Sequence, residues 1–494
     1  MSETNATTDL DWLVSVDDHV IEPPHVWVDR VPAKYRDLAP HMVETDRGPA
    51  WEYDGKRVPT SGLSVAAGKR KEEFSPDPVT FDEMRPGAYD PVARAADMDR
   101  AGIAASLCFP SFPRFCGQIF WEAQDKVLAQ LCVEAYNDWM IDEWCGVVPG
   151  RQIPLIILPL WDPTAAAKEI ERCAAKGARG LAFSENPEPL GLPTIHDPGR
   201  YWDPVMAAAQ ETETIVCMHV GSSSTMPSIS SDAPALANLT FGAVRAAGTM
   251  LSWIFSDYFE RMPNLKIALS EGNIGWMPYF LERAEQVVDK QRHWISKTSI
   301  TLYDQKAGPS LQADLSRLDV RQVFRDHIYG CFIEETSGLM CLDILGDDNI
   351  MVETDYPHSD TTWPDCIGVA KKLVEALPPE SQYKILRGNA ERLFRFTPAE
   401  PTGHRVRVDR GGPYRAVQRG AGRGVGQLGV RAGGRRAPGR LGRRGDQGRA
   451  PRHRRRLPRP RHPGDGRSRR QPVHGAGQPR QAQHRARSEV ARRP

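Results

Sequence analysis

Three short stretches hold the side chains of this sequence that can do chemistry together. Val16-Asp17-Asp18-His19 sets a carboxylate and an imidazole two residues apart, and Glu22 follows closely. Val216-Cys217-Met218-His219 ends an apolar run in a lone imidazole, then breaks into Gly221-Ser222-Ser223-Ser224. Met351-Val352-Glu353-Thr354-Asp355-Tyr356-Pro357-His358 ends another apolar run in two acids and a histidine. Singly, each is ambiguous, because His19 or His219 can be a hydrogen-bonded core residue and Asp18 a helix or turn cap. Jointly, Asp17, His19, His219 and Asp355 make a mixed nitrogen and oxygen donor set suited to one divalent cation, Zn2+ first, with Mn2+ or Fe2+ also matching the donors. Such an ion brings the pKa of a bound water from about 16 toward about 7. Glu271, in Leu269-Ser270-Glu271-Gly272, is a candidate acid or base or a substrate-orienting group, against the reading of a loop carboxylate or a cap for the helix near Trp276. His358 can supply a proton, bind a substrate carboxylate, or only pack on Pro357. Asp355, Glu271 and His358 are thus the catalytic candidates. Arg283 and Glu282 fall on an amphipathic helix and read as solvated, and Asn389 reads as an N-cap of a final short helix.

These residues act together only if the chain brings strand ends to one place. Apolar runs alternate with longer amphipathic segments, the pattern of parallel strands joined by crossover helices. The runs fall at residues 12–19, 104–109, 154–160, 180–184, 214–219, 265–270, 328–333 and 350–353. Eight in alternation is the count of a closed (β/α)8 barrel, in which reacting groups collect at the carboxyl ends of the strands. Side chains two apart on a strand share a face, so Asp17 and His19 aim the same way. Residues 22–88 read as a loop insertion with a small hairpin near 51–58, and one long helix is predicted over about 120–144.

Charge divides the chain. Residues 401–494 hold 27 Arg, no Lys and four acids, which leaves 37 basic and 59 acidic residues before them. A body that acidic is a poor partner for nucleic acid phosphates. Beyond about residue 397 there is no hydrophobic period, so the segment 398–494 is expected to be a disordered low-complexity tail. An Arg-rich nucleic-acid arm is one reading of it. Its all-Arg, Lys-free composition fits better an out-of-frame translation of GC-rich DNA after a natural end near Phe396. Residues 1–11 are polar and acidic and read as a flexible start without a secretory signal. The nine cysteines are scattered without a Cys-x-x-Cys pair, which fits reduced thiols and a cytoplasmic location. No run of about 18 apolar residues predicts a membrane span.

The order of motifs resembles the amidohydrolase-related family, whose members include the aminocarboxymuconate-semialdehyde and resorcylate decarboxylases. The stretches that carry it are Ser15-Val16-Asp17-Asp18-His19-Val20-Ile21-Glu22-Pro23-Pro24, the strand with His219, Ser270-Glu271-Gly272 with Gly275-Trp276-Met277-Pro278, Glu353-Thr354-Asp355-Tyr356-Pro357-His358, and Gly388-Asn389-Ala390. It covers residues 12–397 and implies a distorted (β/α)8 TIM barrel of the metal-dependent hydrolase type, one zinc or manganese ion, a small-molecule substrate and room for a homo-oligomer. By the same resemblance Asp17, His19, His219 and Asp355 are the metal ligands. Two departures stand out: Asp17 takes a place often held by His, and Glu271 stands where a catalytic His is common. The first expectation is hydrolysis of an amide, ester or lactone by metal-activated water, with Asp355 managing the proton. The alternative is nonoxidative decarboxylation of an aromatic or muconate-like carboxylic acid on the same ligands. The insertion at 22–88 and the segment 298–326 are expected to set specificity.

Overall fold

The computed structural model describes residues 10–295 and 312–399. Most of the expected flexible start at 1–11, the first half of the segment at 298–326 and nearly all of the Arg-rich tail lie outside those residues.

Eight parallel strands line up with the eight apolar runs: β1 Leu13–Val20, β2 Ile103–Pro110, β3 in two pieces at Gln152–Ile153 and Leu155–Ile156, β4 Gly180–Ala182, β5 Ile215–His219, β6 Ile267–Ser270, β7 Ile328–Phe332 and β8 Ile350–Val352. All of their residues but Tyr329 and a few polar ones are apolar or small, and all are buried, as strands covered by helices outside and packed side chains inside must be. Each strand pairs in parallel with the next, from β1 to the first piece of β3 and from its second piece to β8. Pro154 divides β3: with no N–H of its own to give, it only accepts, from Arg179 N and Gly180 N at 3.0 and 3.2 Å. The barrel closes between its first and last strands, where Asp355 N donates to Asp17 O at 3.0 Å and His19 N to Tyr356 O at 2.7 Å.

The main helices are α1 Pro91–Ala101, α2 Lys126–Trp139, α3 Pro163–Ala175, α4 Asp203–Thr212, α5 Val244–Ile254, α6 Met277–Ile295, α7 Val320–His327 and α8 Cys366–Val374. Local sequence sets their starts. Asp90, Asp125, Asp162 and Asp319 each accept first-turn backbone N–H groups, and proline follows directly after Asp90 and Asp162 at the position where its missing N–H costs nothing. Gly102 ends α1 in the left-handed region at φ 75°. On α6, Glu282 and Arg283 are exposed as expected.

The predicted helix over 120–144 is three pieces: Gln118–Glu122, α2, and a wide turn at Met140–Trp144. Asp125 makes the first break, since its side chain accepts from Val127 N and Leu128 N at 2.9 and 3.0 Å and starts a new helix. Within 22–88 the predicted hairpin is part of a three-stranded antiparallel sheet, His41–Thr45, Gly48–Tyr53 and Lys56–Pro59. Asp54-Gly55 turns its last hairpin with both residues at positive φ, the backbone that a two-residue turn between twisted strands favours. Between β7 and β8 only short turns stand, the longest Leu342–Leu345, so the strict alternation lapses there.

Asn389 is not an N-cap. It is the buried first residue of the last described helix, Asn389–Phe394, one place past the cap at Gly388, and its Nδ2 donates to Asp347 O at 2.6 Å and Ile350 O at 2.8 Å, tying that helix to the start of β8. Asn389→Ala strands those buried carbonyls, so urea unfolding should report a loss of about 1–3 kcal/mol; an unchanged midpoint would show that the tether is dispensable.

Candidate metal centre

β1 carries two of the candidate ligands and departs from regular pairing where they sit. Ser15 faces Ser106 and Asp18 faces Cys108, so Val16 and Asp17 together oppose Leu107 alone, a bulge of the kind that re-aims side chains beside sites. Asp17 and His19 turn into the barrel mouth. Asp18 turns the other way and is no cap. Its Oδ1 accepts from Ser15 Oγ at 3.0 Å, Thr354 Oγ1 at 2.6 Å and Tyr356 N at 3.1 Å, and Arg94 of α1 lies 3.8 Å away. This buried carboxylate therefore clasps β1 to the loop after β8.

The structure brings all six predicted site residues to this mouth. His19 Nε2 stands 3.2 Å from His219 Nε2, 3.8 Å from Asp17 Oδ1 and 3.3 Å from Asp355 Oδ1. His219 Nε2 is 3.4 Å from Asp17 Oδ2 and 3.6 Å from Glu271 Oε2. His358 stacks on His19 with ring centroids 3.6 Å apart, and its Nδ1 sits 2.9 Å from Asp355 Oδ1. Two overlapping groups emerge, Asp17, His19 and His219 in one and His19, Glu271, Asp355 and His358 in the other, each with ligand atoms mutually within 4.8 Å. Glu271 and Asp355 both hold left-handed backbones, at φ 53° and 49°, an uncommon conformation that clusters at functional sites.

Charge makes the case for a cation. Asp17, Glu271, Glu353 and Asp355 crowd the mouth with no arginine or lysine in ion-pair range among the described residues, and Asp18, turned away behind them, has Arg94 at 3.8 Å. Both Asp17 oxygens are buried without a hydrogen bond, and burial first, then the charges of Glu353 and Glu271, push this carboxyl well above its ordinary range. Glu353 rises to about 8, chiefly through burial. Glu271 is drawn upward by withdrawal from water and by Asp355, Glu353 and Asp360. For Asp355 burial works upward but His358, and hydrogen bonds from His19 and His358, outweigh it and hold the carboxyl low. Burial drops His219 to about 4 and, with the charge of His358, takes His19 well below its usual value, so both imidazoles are neutral donors at pH 7. Clustered carboxylates beside neutral imidazoles are the complement of a divalent ion.

The sequence reading missed the residues that brace these groups. Ser184 and Glu185, just past β4, clamp the turn behind His219. Gly221 N and Ser223 Oγ each donate to Glu185 Oε1 at 2.9 Å, while Glu185 N donates to Ser222 Oγ at 2.8 Å and Ser184 Oγ to Ser222 O at 3.2 Å. Phe115 stacks on His219 at 4.0 Å, and a Cβ on Gly221, at φ 93°, would come within 3.0 Å of that ring. On the other side Asp97 receives Tyr356 Oη at 2.6 Å and a two-pronged bond from Arg85, and Ala67 N donates to Pro357 O, so the insertion after β1 buttresses the loop that carries His358. An acid directly after an apolar run, as at Glu185, was the one readable signal among these.

The model of the amidohydrolase family matches residues 25–396, beginning just after Asp17 and His19. The chain is 27% identical over 267 residues to a gamma-resorcylate decarboxylase of a Rhizobium species, across 53% of this chain and 75% of that protein. It is 26% identical over 287 residues to the gamma-resorcylate decarboxylase of a Polaromonas species, across 55% and 78%. A solved amidohydrolase of Mycobacterium avium subsp. paratuberculosis superposes on 78% of this chain and 99% of its own with a TM-score of 0.56 at 18% identity, a likeness of fold. Among the described residues no helix is long and apolar enough to cross a membrane.

Metal analysis tests the donor set. Manganese- or zinc-loaded protein should retain its ion through gel filtration, and the variant carrying His19→Ala and His219→Ala should lose it while keeping a native circular dichroism spectrum. Stoichiometric metal in that variant would reject these ligands.

Proposed function

The chain belongs to the amidohydrolase family, and from that premise we propose that it is a metal-dependent nonoxidative decarboxylase of a hydroxylated aromatic carboxylic acid. The observation that carries the reading is the similarity to gamma-resorcylate decarboxylases across three quarters of their length. It favours carbon dioxide loss over the hydrolysis first expected from the sequence. In this reading Asp17, His19, His219 and Asp355 hold one divalent cation, a fit supported by the unpaired oxygens of Asp17 and the two neutral imidazoles.

Bound there, the cation supplies Lewis-acid polarisation of substrate oxygens. The chain's own residues do the rest. The flat wall of Phe115 against His219 suits a planar ring. Glu271 is the proton donor: its side chain is 27% exposed to the mouth, its Oε2 lies beside His219, and its N–H is tethered to Glu353 Oε2 at 3.2 Å. As the bond between ring carbon and carboxylate breaks, its electron pair stays on the ring carbon, carbon dioxide departs, and the proton from Glu271 forms the new C–H bond. His358, paired with Asp355 and 17% exposed, is placed to return a proton from solvent.

Incubation of metal-loaded enzyme with a panel of ortho-hydroxybenzoates and lactones should release carbon dioxide from a hydroxybenzoate and no acid from a lactone; lactone opening without carbon dioxide would reverse the assignment. A chelator should abolish turnover and added manganese or zinc restore it. Glu271→Gln should keep the metal and lower kcat by about 10^2 to 10^4 with little change in KM, and should slow deuterium incorporation into the phenolic product in D2O equally. Full activity in this variant would remove Glu271 from the reaction.

A further inference from the structure

We propose that the cavity between the end of β4 and helix α5 is a second small-molecule site, separate from the metal centre, that takes a neutral primary carboxamide carried on a small apolar body. The cavity measures about 300 Å3, a size at the lower end of ligand pockets, and none of the metal-centre candidates lines it. Its wall combines Glu185, Arg245, Gly248, Ser252 and His196 with the buried ring of Trp253.

Two unmet polar groups face each other there. The Glu185 side chain is 2% exposed, and while its Oε1 is taken by Gly221 N and Ser223 Oγ, its Oε2 has no hydrogen-bond partner. Arg245 spends Nη2 on Thr225 Oγ1 at 3.2 Å, but its buried Nε has none, and at 3.9 Å from Glu185 Oε1 the two do not satisfy one another. Buried donors and acceptors are ordinarily paired. A ligand that donates to the carboxylate and accepts from the guanidinium on adjacent atoms completes both, which is the pattern of a primary carboxamide. An amine offers no acceptor and a carboxylate no donor. Trp253 gives the attached body an apolar surface.

Gly248 is the independent evidence. It sits inside α5, where glycine destabilises a helix relative to alanine, yet its backbone has no positive φ and a Cβ added to it meets nothing within 4 Å. Neither backbone nor packing calls for glycine at this position. Gly248 lines the cavity and is itself exposed, so its missing side chain leaves the cavity's rim open. Because Glu185 also clamps the turn after His219, an occupant would rest against the support of the metal centre.

The test is binding of benzamide to metal-loaded, full-length protein by calorimetry and saturation-transfer NMR, readouts that do not depend on which reaction the enzyme performs. Benzamide should bind saturably, and benzoate and benzylamine at least tenfold more weakly. Gly248→Met, whose side chain enters the open space, should weaken benzamide at least tenfold with turnover at the metal centre unchanged. Gly248→Ala should leave Tm unchanged or raise it by about 1 °C, what removing a helical glycine yields in a barrel of this size, and so certify that the position tolerates a side chain. Absence of saturable binding, equal binding to wild type and Gly248→Met, or benzoate binding as tightly as benzamide would each overturn the proposal.

Discussion

Four carboxyl groups gathered at one barrel mouth, with no arginine in ion-pair range of them among the described residues and a fifth, Asp18, just behind, form an arrangement that a folded protein does not hold without compensation. Much of the architecture around the mouth answers that repulsion. Asp18 is held by three hydrogen bonds and the proximity of Arg94, Asp355 is flanked by the imidazoles of His19 and His358, and burial pushes the carboxyl of Glu353 up to about 8. Asp17 and Asp355 each keep two buried oxygens without a hydrogen bond, and Asp17 faces His19 and His219.

Precision at that point comes from outside the strands. β5 ends at His219, and the chain must turn at once to clear the mouth, which is why a glycine in the left-handed region and three serines follow. That turn has few intrinsic preferences, so its shape is imposed by Glu185 and Ser184 from the neighbouring strand end and by Phe115 from the far side. The loop after β8 is fixed similarly by Asp97 and Arg85. The insertion after β1 is therefore part of the support of the mouth as well as a cover.

How much of this was legible in the sequence follows from the range of the forces involved. The eight strands were readable because burial on both faces writes continuous apolar runs, and Asp17, His19, His219 and Asp355 were readable because polar residues that end such runs have few other reasons to be there. The break at Asp125 was missed because an aspartate inside a helical period looks like a solvated face until its side chain caps the next turn. Asn389 was misassigned for the related reason that a cap and a buried tether call for the same residue. Arg85 and Asp97 were silent because their partners are not read from any local pattern, and Glu185 offered only its place after an apolar run, since its contacts lie 36 or more residues away. Nor did the residues choose between carbon dioxide loss and hydrolysis, since both use the same donor set; similarity to named relatives tipped that balance.

The seam between β1 and β8 has a bearing on how the protein is made. Asp17 and His19 leave the ribosome hundreds of residues ahead of Asp355, and the carboxylate clasp at Asp18 cannot form until Thr354 and Tyr356 arrive. Contacts of such sequence separation form late and slowly. Under the proposed ligand set, which draws donors from both ends of the barrel, a divalent ion would be held tightly only by finished chains.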